Sequence, residues 1–454
     1  MKYSEFLNNK KITDIPTGLD CDIDQPQMFD FQRDITRWAL KRGRAAIFAG
    51  CGMGKTLMQL EWAHKIPGRT LILAPLAVAQ QTVREGAKFD LPCEYCRDGK
   101  SDAKVTIANY EMMGHFEPSD YNGIVLDESS ILKSYTGKFR NEIIERFAQT
   151  QYKLACTATP SPNDYMELGN HSEFLGVMSR TEMLSMFFVH NGGDTQKWRL
   201  KGHAADLFWE WCASWAVMIR KPSDLGYDDA LFDLNPIHYH SHIINIHEND
   251  SDDGLLFRLP AVTLMERKGE RRHTTTHRCE SAATIANGSS DQHLIWCDLN
   301  NESAELTKLI DGAVEVKGSH TLEYKADAMH RFISGDIRVL VSKPSICGFG
   351  MNFQNCHKMV FVGLSDSYEQ FYQAVRRCWR FGQNHDVDCH IVTASTEGAV
   401  LENVRRKERQ DDLMVAEMLQ HMRKINQETI HGIERQKTIY APSKKIRLPE
   451  FLSV

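Results

Sequence analysis

A glycine-rich segment at residues 49–56 constrains the fold of this chain more than any other part of its sequence. The segment is AGCGMGKT, and it ends in Lys55 and Thr56. Residues 45–48 before it are apolar and predict a short buried strand, whereas residues 57–63 after it predict a helix. A strand, a glycine-rich loop ending in Lys-Thr and a helix together predict a loop that binds phosphate groups. We therefore expect an α/β domain built around this loop.

The residues of this loop suit a nucleoside triphosphate and a magnesium ion. Gly52 and Gly54 would let main-chain N–H groups close around phosphate oxygens, next to the positive end of the helix dipole. Lys55 would contact the β- and γ-phosphates, and Thr56 would hold Mg²⁺. Ala49 stands where the usual pattern has its first glycine, so a glycine-rich turn before an ordinary helix is the alternative.

Two adjacent carboxylates follow an apolar run farther along the chain. Residues 123–126 predict a buried strand, and Asp127 and Glu128 come directly after them. An Asp at the end of such a strand, in a chain with a phosphate loop, predicts a ligand for Mg²⁺, and the next Glu could orient or deprotonate an attacking water. Taken alone, an Asp-Glu pair at a strand end is often a solvated turn, so this assignment depends on the phosphate loop.

Further apolar runs alternate with helical patterns and predict parallel sheets with crossover helices. In the first half of the chain the runs lie at residues 70–75, 105–111 and 152–160, and in the second half at residues 294–297, 338–342 and 359–363. Several of these runs end in polar residues, which fits binding at the carboxyl edge of a parallel sheet.

Glutamine and arginine side chains could complete a nucleotide site. Gln32 lies about twenty residues before the phosphate loop on a predicted amphipathic helix, and its amide could select the adenine of ATP. The alternative is a surface glutamine. Arg376, Arg377 and Arg380 follow Gln373 on a later helical pattern, and guanidiniums on one side of a helix suit a triphosphate. The alternative for them is a salt-bridged surface helix.

Size and composition limit the classes of protein to which the chain can belong. Its 454 residues, with 42% hydrophobic and 25% charged residues, predict a soluble globular protein of two or three domains. No apolar run approaches the roughly 18 residues needed to cross a membrane, and the N-terminal segment lacks the apolar core of a signal peptide. Twelve scattered cysteines suit a reducing compartment, so we expect a cytoplasmic protein. With a net charge of −6, nucleic-acid binding would depend on local basic patches.

Three other clusters have a structural explanation beside a functional one. His238, His240 and His242 alternate on one face of a predicted strand, which could suit zinc, but no cysteine or carboxylate partner is evident and we expect no metal there. The basic segment at residues 197–201 could contact a phosphate backbone or form a solvated loop. The charged tail after residue 400 could form a nucleic-acid arm, although a solvated helix is the interpretation we favour.

The ordered set of motifs resembles that of superfamily-two helicase-type ATPases. It is most similar to the Snf-type, chromatin-remodeller-like translocases, including small phage-encoded members, and it spans roughly residues 28–400. The matching positions are Gln32, residues 52–56, residues 73–75, Asp127 with Glu128, residues 157–160, Gly348, Gly350 and Asn352, and residues 373–383. Ser129 and Ser130 stand where the family usually has Ala-His or Ala-Asp, and Arg376 stands where it often has Asp.

This resemblance implies roles for residues of the later motifs. Arg377 and Arg380 match the arginine fingers of the family. Gly350 and Gln373 match positions in its fifth and sixth motifs, so the resemblance implies that they contribute to the binding of ATP. Asp127 and Thr56 would hold Mg²⁺, and Glu128 would act on the attacking water.

The resemblance also implies an α/β fold of two RecA-like domains with parallel sheets flanked by helices, plus a helical insertion and a helical C-terminal tail. We place the N-terminal ATP-binding domain at residues 1–175, the insertion at 176–235, the second domain at 236–400 and the charged tail at 401–454. The second domain would bring its arginines to the phosphate loop when the cleft between the domains closes.

The implied activity is that of an ATP-dependent motor that moves along duplex DNA. Binding should be independent of base sequence and sensitive to salt, since contacts to phosphates carry little sequence information. A strand-separating DNA or RNA helicase is the alternative in the same class. An ATP-gated clamp or scaffold that acts through a protein partner is the alternative in another class. If the chain is phage-encoded, it would act in the host cytoplasm.

Overall fold

Two all-parallel β-sheets with helices on both faces organise the chain in this computed structural model. The structure describes residues 17–133, 137–162, 164–191, 194–245, 271–347, 352–365, 367–397 and 400–430, together with residue 269. The strands are β1 (Arg44–Ala49), β2 (Thr70–Ala74), β3 (Glu94–Tyr95), β4 (Val105–Asn109), β5 (Gly123–Asp127), β6 (Tyr152–Thr157), β7 (Phe188–Asn191), β8 (Asp194–Leu200), β9 (Ala216–Ile219), β10 (Ile237–Ile244), β11 (His293–Cys297), β12 (Ala313–Val316), β13 (Val339–Ser342), β14 (Lys358–Val362) and β15 (Val387–Ala394). The helices are α1 (Asp30–Arg42), α2 (Lys55–Lys65), α3 (Leu76–Lys88), α4 (Lys138–Arg146), α5 (Leu168–Leu175), α6 (Arg180–Phe187), α7 (Ala205–Trp215), α8 (Thr275–Asn287), α9 (Asn300–Leu309), α10 (Leu322–Ser334), α11 (Pro344–Cys347), α12 (Tyr368–Val375) and α13 (Val400–Ile430).

The first sheet has seven parallel strands in the order β3-β4-β2-β5-β6-β1-β9. Every residue of β2, β4, β5 and β6 is buried, as expected for parallel strands covered on both faces. Neighbouring residues point to opposite faces, so Phe48 and Leu73 belong to one apolar core whereas Ile47 and Ile72 belong to the other.

The strand order places three polar strand ends side by side. β5, β6 and β1 are neighbours in the sheet and run in the same direction. The loop after β1, Asp127 at the end of β5 and Thr157 at the end of β6 therefore meet at one edge. This edge faces the second domain.

The second sheet has six parallel strands in the order β10-β15-β14-β11-β13-β12. β11 is fully buried, and one core packs on each face of the sheet. β14 leads into α12, whose side chains Phe371 and Ala374 pack into one of these cores. The packing fixes the position of the arginines that follow α12.

The predicted fold class is confirmed, since the chain forms two RecA-like α/β domains with a helical C-terminal region. Residues 176–235 contain, in addition to helices, the antiparallel hairpin β7–β8 and the strand β9. β9 pairs with β1 along residues 216–219 and forms an edge of the first sheet. Four apolar residues after an aromatic helix carry little strand signal, so the pairing with β1 decides their conformation.

The long helix α13 contacts both domains. Val400 and Val404 pack into a core of the second domain, whereas Val415, Met418 and Met422 pack into a core of the first. Within the residues that the structure describes, neither this helix nor any other has the length and apolar character needed to span a bilayer.

Candidate active site

A cavity of about 270 Å³ lies between the two domains at the carboxyl edges of their sheets. Residues of the phosphate loop, the two carboxylates and the arginines after α12 all line it. The first domain contributes Gln32, Gly52, Gly54, Lys55, Thr56, Asp127 and Glu128, and the second contributes Asn352, Arg376, Arg377, Arg380 and Phe381. Motifs that are more than 300 residues apart in the sequence thus share one cleft.

The phosphate loop has the backbone that its glycines allow. Gly52 has a φ of 90° and Gly54 a φ of 79°, both in the left-handed region that other residues rarely adopt. A Cβ atom at Gly54 would overlap the side-chain amide of Gln32. Lys55, the first residue of α2, donates from Nζ to the carbonyl oxygens of Ala49 at 2.8 Å and Gly50 at 3.3 Å.

Asp127 is buried and held from several sides. Its Oδ1 accepts a hydrogen bond from Gln59 Nε2 at 2.8 Å and another from the main-chain N–H of Glu128 at 3.1 Å. The hydroxyl of Tyr110 donates to the main-chain carbonyl of Asp127 at 2.7 Å. Burial raises the pKa of the Asp127 carboxyl, and the hydrogen bond from Gln59 and the charge of Lys55 act in the opposite direction. The Asp127 carboxylate is therefore held in a fixed position, where a bound cation would offset the cost of burying its negative charge.

Glu128 occupies a strained backbone position beside it. Its φ of 53° lies in the left-handed region, where a residue other than glycine costs roughly 1–2 kcal/mol. Its Oε2 accepts a hydrogen bond of 3.4 Å from Thr157, the first residue of the predicted motif at 157–160. Burial raises the pKa of Glu128, Lys55 and Arg377 lower it, and Asp127 adds to the increase. Strain of this kind is often retained at functional sites.

Arg377 and Arg380 of the second domain line the same cavity as this carboxylate pair. Arg377 is buried, which lowers the pKa of its guanidinium, and the charges of Glu128 and Asp127 counteract that effect. Arg380 donates from Nη1 to Asn352 Oδ1. Burial, followed by repulsion from Arg377, lowers the pKa of Arg380 to about 10. The positive charges of the two guanidiniums repel each other, so an anion bound between them would be stabilising.

Arg376 is held differently from its two neighbours. Its guanidinium carbon lies 4.1 Å from the ring centroid of Trp379 and 5.2 Å from that of Tyr372. Arg376 lines the same cavity, but these stacking contacts fix it against aromatic rings. Arg376 is therefore stacked on aromatic rings, whereas Arg377 lies near the carboxylates and Arg380 contacts Asn352.

Gln32 is buried, with 3% of its surface exposed, so it is not a surface glutamine. Its Nε2 donates to the carbonyl of Met53 at 2.9 Å, and its Oε1 accepts from the main-chain N–H of Phe29 at 3.0 Å. An amide has two N–H donors and two acceptor lone pairs, so a nucleotide base could still be bound. Gln32 joins the start of α1 to the phosphate loop.

Two residues predicted to contribute to ATP binding are not placed in the cleft by the structure. Gln373 is buried on α12 but is not among the residues that line the cavity. Gly350 lies outside the described residues, as does Gly348 of the same motif.

Sequence reasoning missed an aromatic cluster in the cavity wall. Phe29, Phe232 and Phe381 contribute to the lining, and the ring centroid of Phe232 lies 5.1 Å from each of the other two. The three residues come from distant parts of the chain, and only the position of Phe29 next to the Gln32 helix could have suggested its role. Planar aromatic rings of this kind can stack on a nucleotide base.

Two histidines of β10 have side-chain partners that the sequence did not reveal. His240 Nε2 lies 2.8 Å from Asp388 Oδ1, and His242 Nε2 lies 2.9 Å from His390 Nδ1. The partners come from β15, which pairs with β10. Within the described part of the chain, no group of three or more His, Cys, Asp or Glu residues has a geometry that could hold a metal ion.

Comparison with known proteins yields one family match. The helicase conserved C-terminal domain matches residues 278–382, which run from α8 to the arginines after α12. No curated protein matches the chain. The second domain is therefore similar to the C-terminal domains of helicases. This similarity supports a helicase-type superfamily and indicates a nucleic-acid motor with ATP-dependent activity.

Proposed function

We propose that this helicase-type chain is an ATP-dependent motor that moves along duplex DNA without a requirement for base sequence. The observation that carries the proposal is the shared cleft, in which the phosphate loop and carboxylates of one domain face Arg377 and Arg380 of the other. Hydrolysis that needs residues of both domains can be coupled to their relative movement. A motor that grips a backbone with two domains would then advance as the cleft closes and opens.

Each side chain of the cleft has a role in this proposal. Lys55 binds the β- and γ-phosphates, and Glu128 orients and deprotonates the attacking water. Arg377 and Arg380 stabilise the charge that develops on the transferred phosphoryl group. Gln32 joins the nucleotide pocket to the phosphate loop. Gln373 and Gly350 belong to the proposal on the basis of the family resemblance alone.

The residues present also suit Mg²⁺. Thr56 and Asp127 line the same cavity, and the hydroxyl and carboxylate oxygens that they carry are the hard donors that Mg²⁺ prefers. When bound, the ion would neutralise charge on the phosphates. The ion would also stabilise the negative charge of the Asp127 carboxylate, which is buried.

The domain layout is part of the proposal. We assign residues 1–175 and 236–400 to the two motor domains, with residues 176–235 between them and a charged tail after residue 400. The pairing of β9 with β1 supports a first domain that also includes residues 216–219. The twelve cysteines are all free thiols, which suits a reducing cytoplasm, that of the host if the chain is phage-encoded.

Duplex DNA is proposed over other nucleic acids because the motifs resemble those of Snf-type translocases. A strand-separating DNA or RNA helicase would use the same cleft. A clamp that acts through a protein partner would require slow turnover, which the combination of Glu128, Arg377 and Arg380 in one cavity disfavours.

The test is steady-state ATP hydrolysis alone and with duplex DNA, single-stranded DNA or RNA, each at two salt concentrations. Strong stimulation by duplex DNA that decreases with salt supports the proposal, because release of counterions makes backbone binding salt-dependent. Stimulation by single strands alone would favour a strand-separating helicase. Basal hydrolysis that no nucleic acid stimulates would favour the clamp. Lys55→Ala is the control, and it should abolish hydrolysis in every arm.

A further inference from the structure

One carboxylate of the second domain contacts the turn that follows the acidic pair of the first. The turn is a 3-10 helix at Ser129–Lys133. Ser130 Oγ donates a hydrogen bond of 2.7 Å to Glu369 Oε1, and Lys133 Nζ donates to Glu369 Oε2. The two oxygens of Glu369 thus bind two residues of the other domain.

The position of Glu369 gives this contact its significance. It is the second residue of α12, and Arg377 follows the end of this helix. Glu369 and Gln373 are four residues apart and lie on the same side of α12, and Arg377 is four residues farther on. Ser130 is two residues after Glu128. The Glu369 side chain therefore connects the segment that contains Glu128 to the helix that positions Arg377.

An acidic residue in the first turn of a helix has a simpler explanation, because it stabilises the positive end of the helix dipole. That role requires no partner and leaves the carboxylate in solvent. The Glu369 side chain is only 13% exposed, and its partners come from another domain, more than 230 residues earlier in the chain. The contact holds both Ser130 and Lys133 in place, and the helix dipole alone does not explain why these two side chains bind Glu369.

We propose that Glu369 is a positioning residue that latches the closed cleft by binding Ser130 and Lys133. The inference rests on the proposed function and adds to it the contact that holds the arginines against the phosphate loop. Closure would bring Ser130 and Lys133 within reach of Glu369, and opening would separate them. Since the latch includes no residue of the phosphate loop, its loss should lower the rate of hydrolysis more than the affinity for nucleotide.

The latch also involves the acidic motif at residues 127–130. Ser130 stands at the fourth position of the acidic motif, and its hydroxyl links that motif to the second domain.

The test compares variants on both sides of the contact. Glu369→Gln keeps an acceptor for Ser130 and loses the charge that binds Lys133, whereas Glu369→Ala, Ser130→Ala and Lys133→Ala each remove one partner. The exchange Lys133→Glu with Glu369→Lys restores an ion pair of reversed direction. Asp291→Asn is the matched control, since Asp291 forms a 2.6 Å ion pair with Lys358 inside the second domain. For each variant kcat and KM for ATP, and Kd for a fluorescent ADP analogue, are measured with nucleic acid present.

We expect kcat to decrease about tenfold for Glu369→Ala and Lys133→Ala, which corresponds to about 1.4 kcal/mol. Kd should stay within about twofold of the wild-type value, the charge exchange should recover most of the activity, and Asp291→Asn should hydrolyse ATP normally. A kcat that is unchanged in both alanine variants would overturn the latch, and so would an equal loss in kcat and nucleotide affinity.

Small-angle scattering supplies a readout that does not depend on hydrolysis. With ADP and aluminium fluoride, the radius of gyration of the wild-type chain should decrease, and it should decrease less in Glu369→Ala and Lys133→Ala. Equal compaction in all variants would refute the latch. If the wild-type protein fails to hydrolyse ATP under any condition, the proposed function fails, and the scattering result alone then decides whether the latch exists.

Discussion

The side-chain amide of Gln32 donates a 2.9 Å hydrogen bond to the carbonyl of Met53, in the middle of the phosphate loop. We predict that Gln32→Ala raises the Kd of ATP about tenfold or more, because the loss of a buried hydrogen-bond partner typically costs about 1–3 kcal/mol. Fluorescence titration with a labelled ATP analogue measures the change.

Gln32→Glu distinguishes the contributions of the two hydrogen bonds that the Gln32 amide makes. Its carboxylate can still accept from the N–H of Phe29 but cannot donate to Met53. A loss of affinity similar to that of the alanine variant identifies the bond to Met53 as the important one. Wild-type affinity in both variants would mean that Gln32 does not support the nucleotide site.

Two glycines with positive φ allow backbone strain to be distinguished from steric overlap. Gly54 has a φ of 79° and lies against Gln32, whereas Gly335 has a φ of 92° at the end of α10 and a Cβ there would meet no atom within 4 Å. We predict that Gly335→Ala lowers the free energy of unfolding by about 1–2 kcal/mol and leaves ATP binding unchanged. Gly54→Ala should lower nucleotide affinity by more than tenfold as well. Denaturant unfolding and nucleotide titration test the pair, and equal behaviour of the two variants would contradict the prediction.

The sequence was sufficient to predict the two parallel sheets, and it placed the glycine-rich loop and the acidic pair at strand ends, because each depends on local patterns. An apolar run that ends in Asp127 and Glu128 predicts both a buried strand and a carboxylate at the edge of its sheet. The motif at residues 373–383 likewise has a fixed spacing of arginines, and the structure places Arg377 and Arg380 in the cleft.

Features that depend on contacts between distant segments could not be predicted in this way. The edge strand β9 has four apolar residues, and its conformation is decided by its pairing with β1. The aromatic cluster of Phe29, Phe232 and Phe381 and the bond between Ser130 and Glu369 join segments that are far apart in sequence. No local pattern contains information on which remote side chain will be adjacent, so only the structure reveals these residues.

Glu128 should determine the acidic side of the pH dependence of hydrolysis. Burial raises the pKa of its carboxyl above the ordinary value of 4.5, so the protonated form, which cannot act as a base, persists to a higher pH than for an exposed glutamate. We predict that kcat decreases as the pH falls through this raised pKa. Glu128→Gln should retain ATP binding and lose hydrolysis at every pH. A pH–rate profile gives the first result, and an acidic limb at the ordinary pKa would contradict it.

Asp411 of α13 should make stability depend on pH in a defined direction. Burial raises its pKa from 3.8 to about 6, while Arg220 acts in the opposite direction. The folded state therefore binds a proton that the unfolded state releases, so this contribution to stability is complete below about pH 4 and is lost as the pH rises through about 6. We predict that the free energy of unfolding of the wild type, relative to Asp411→Asn, decreases by about 2 kcal/mol between pH 4 and pH 7.

Tyr368→Phe is the control for Asp411. The hydroxyl of Tyr368 donates to Asp411 Oδ2 at 3.5 Å, and its removal leaves the titrating carboxylate in place. This variant should therefore keep most of the pH dependence that Asp411→Asn abolishes. Denaturant unfolding at several pH values measures all three proteins, and parallel curves for wild type and Asp411→Asn would show that Asp411 titrates normally.

Arg380 and Arg376 provide a final comparison within one motif. Arg380 donates to Asn352 in the cavity wall beside Arg377, whereas Arg376 stacks on Trp379 and Tyr372. We predict that Arg380→Ala decreases kcat for ATP hydrolysis by a large factor, since an arginine that stabilises the transition state contributes roughly 10³–10⁵ in other triphosphatases. Nucleotide affinity should change far less. Arg376→Ala should instead lower the melting temperature by a few degrees through lost stacking, with kcat within a few fold of wild type. Single-turnover hydrolysis, nucleotide titration and thermal unfolding distinguish these outcomes, and equal losses of rate and affinity in Arg380→Ala would identify that arginine as a binding residue.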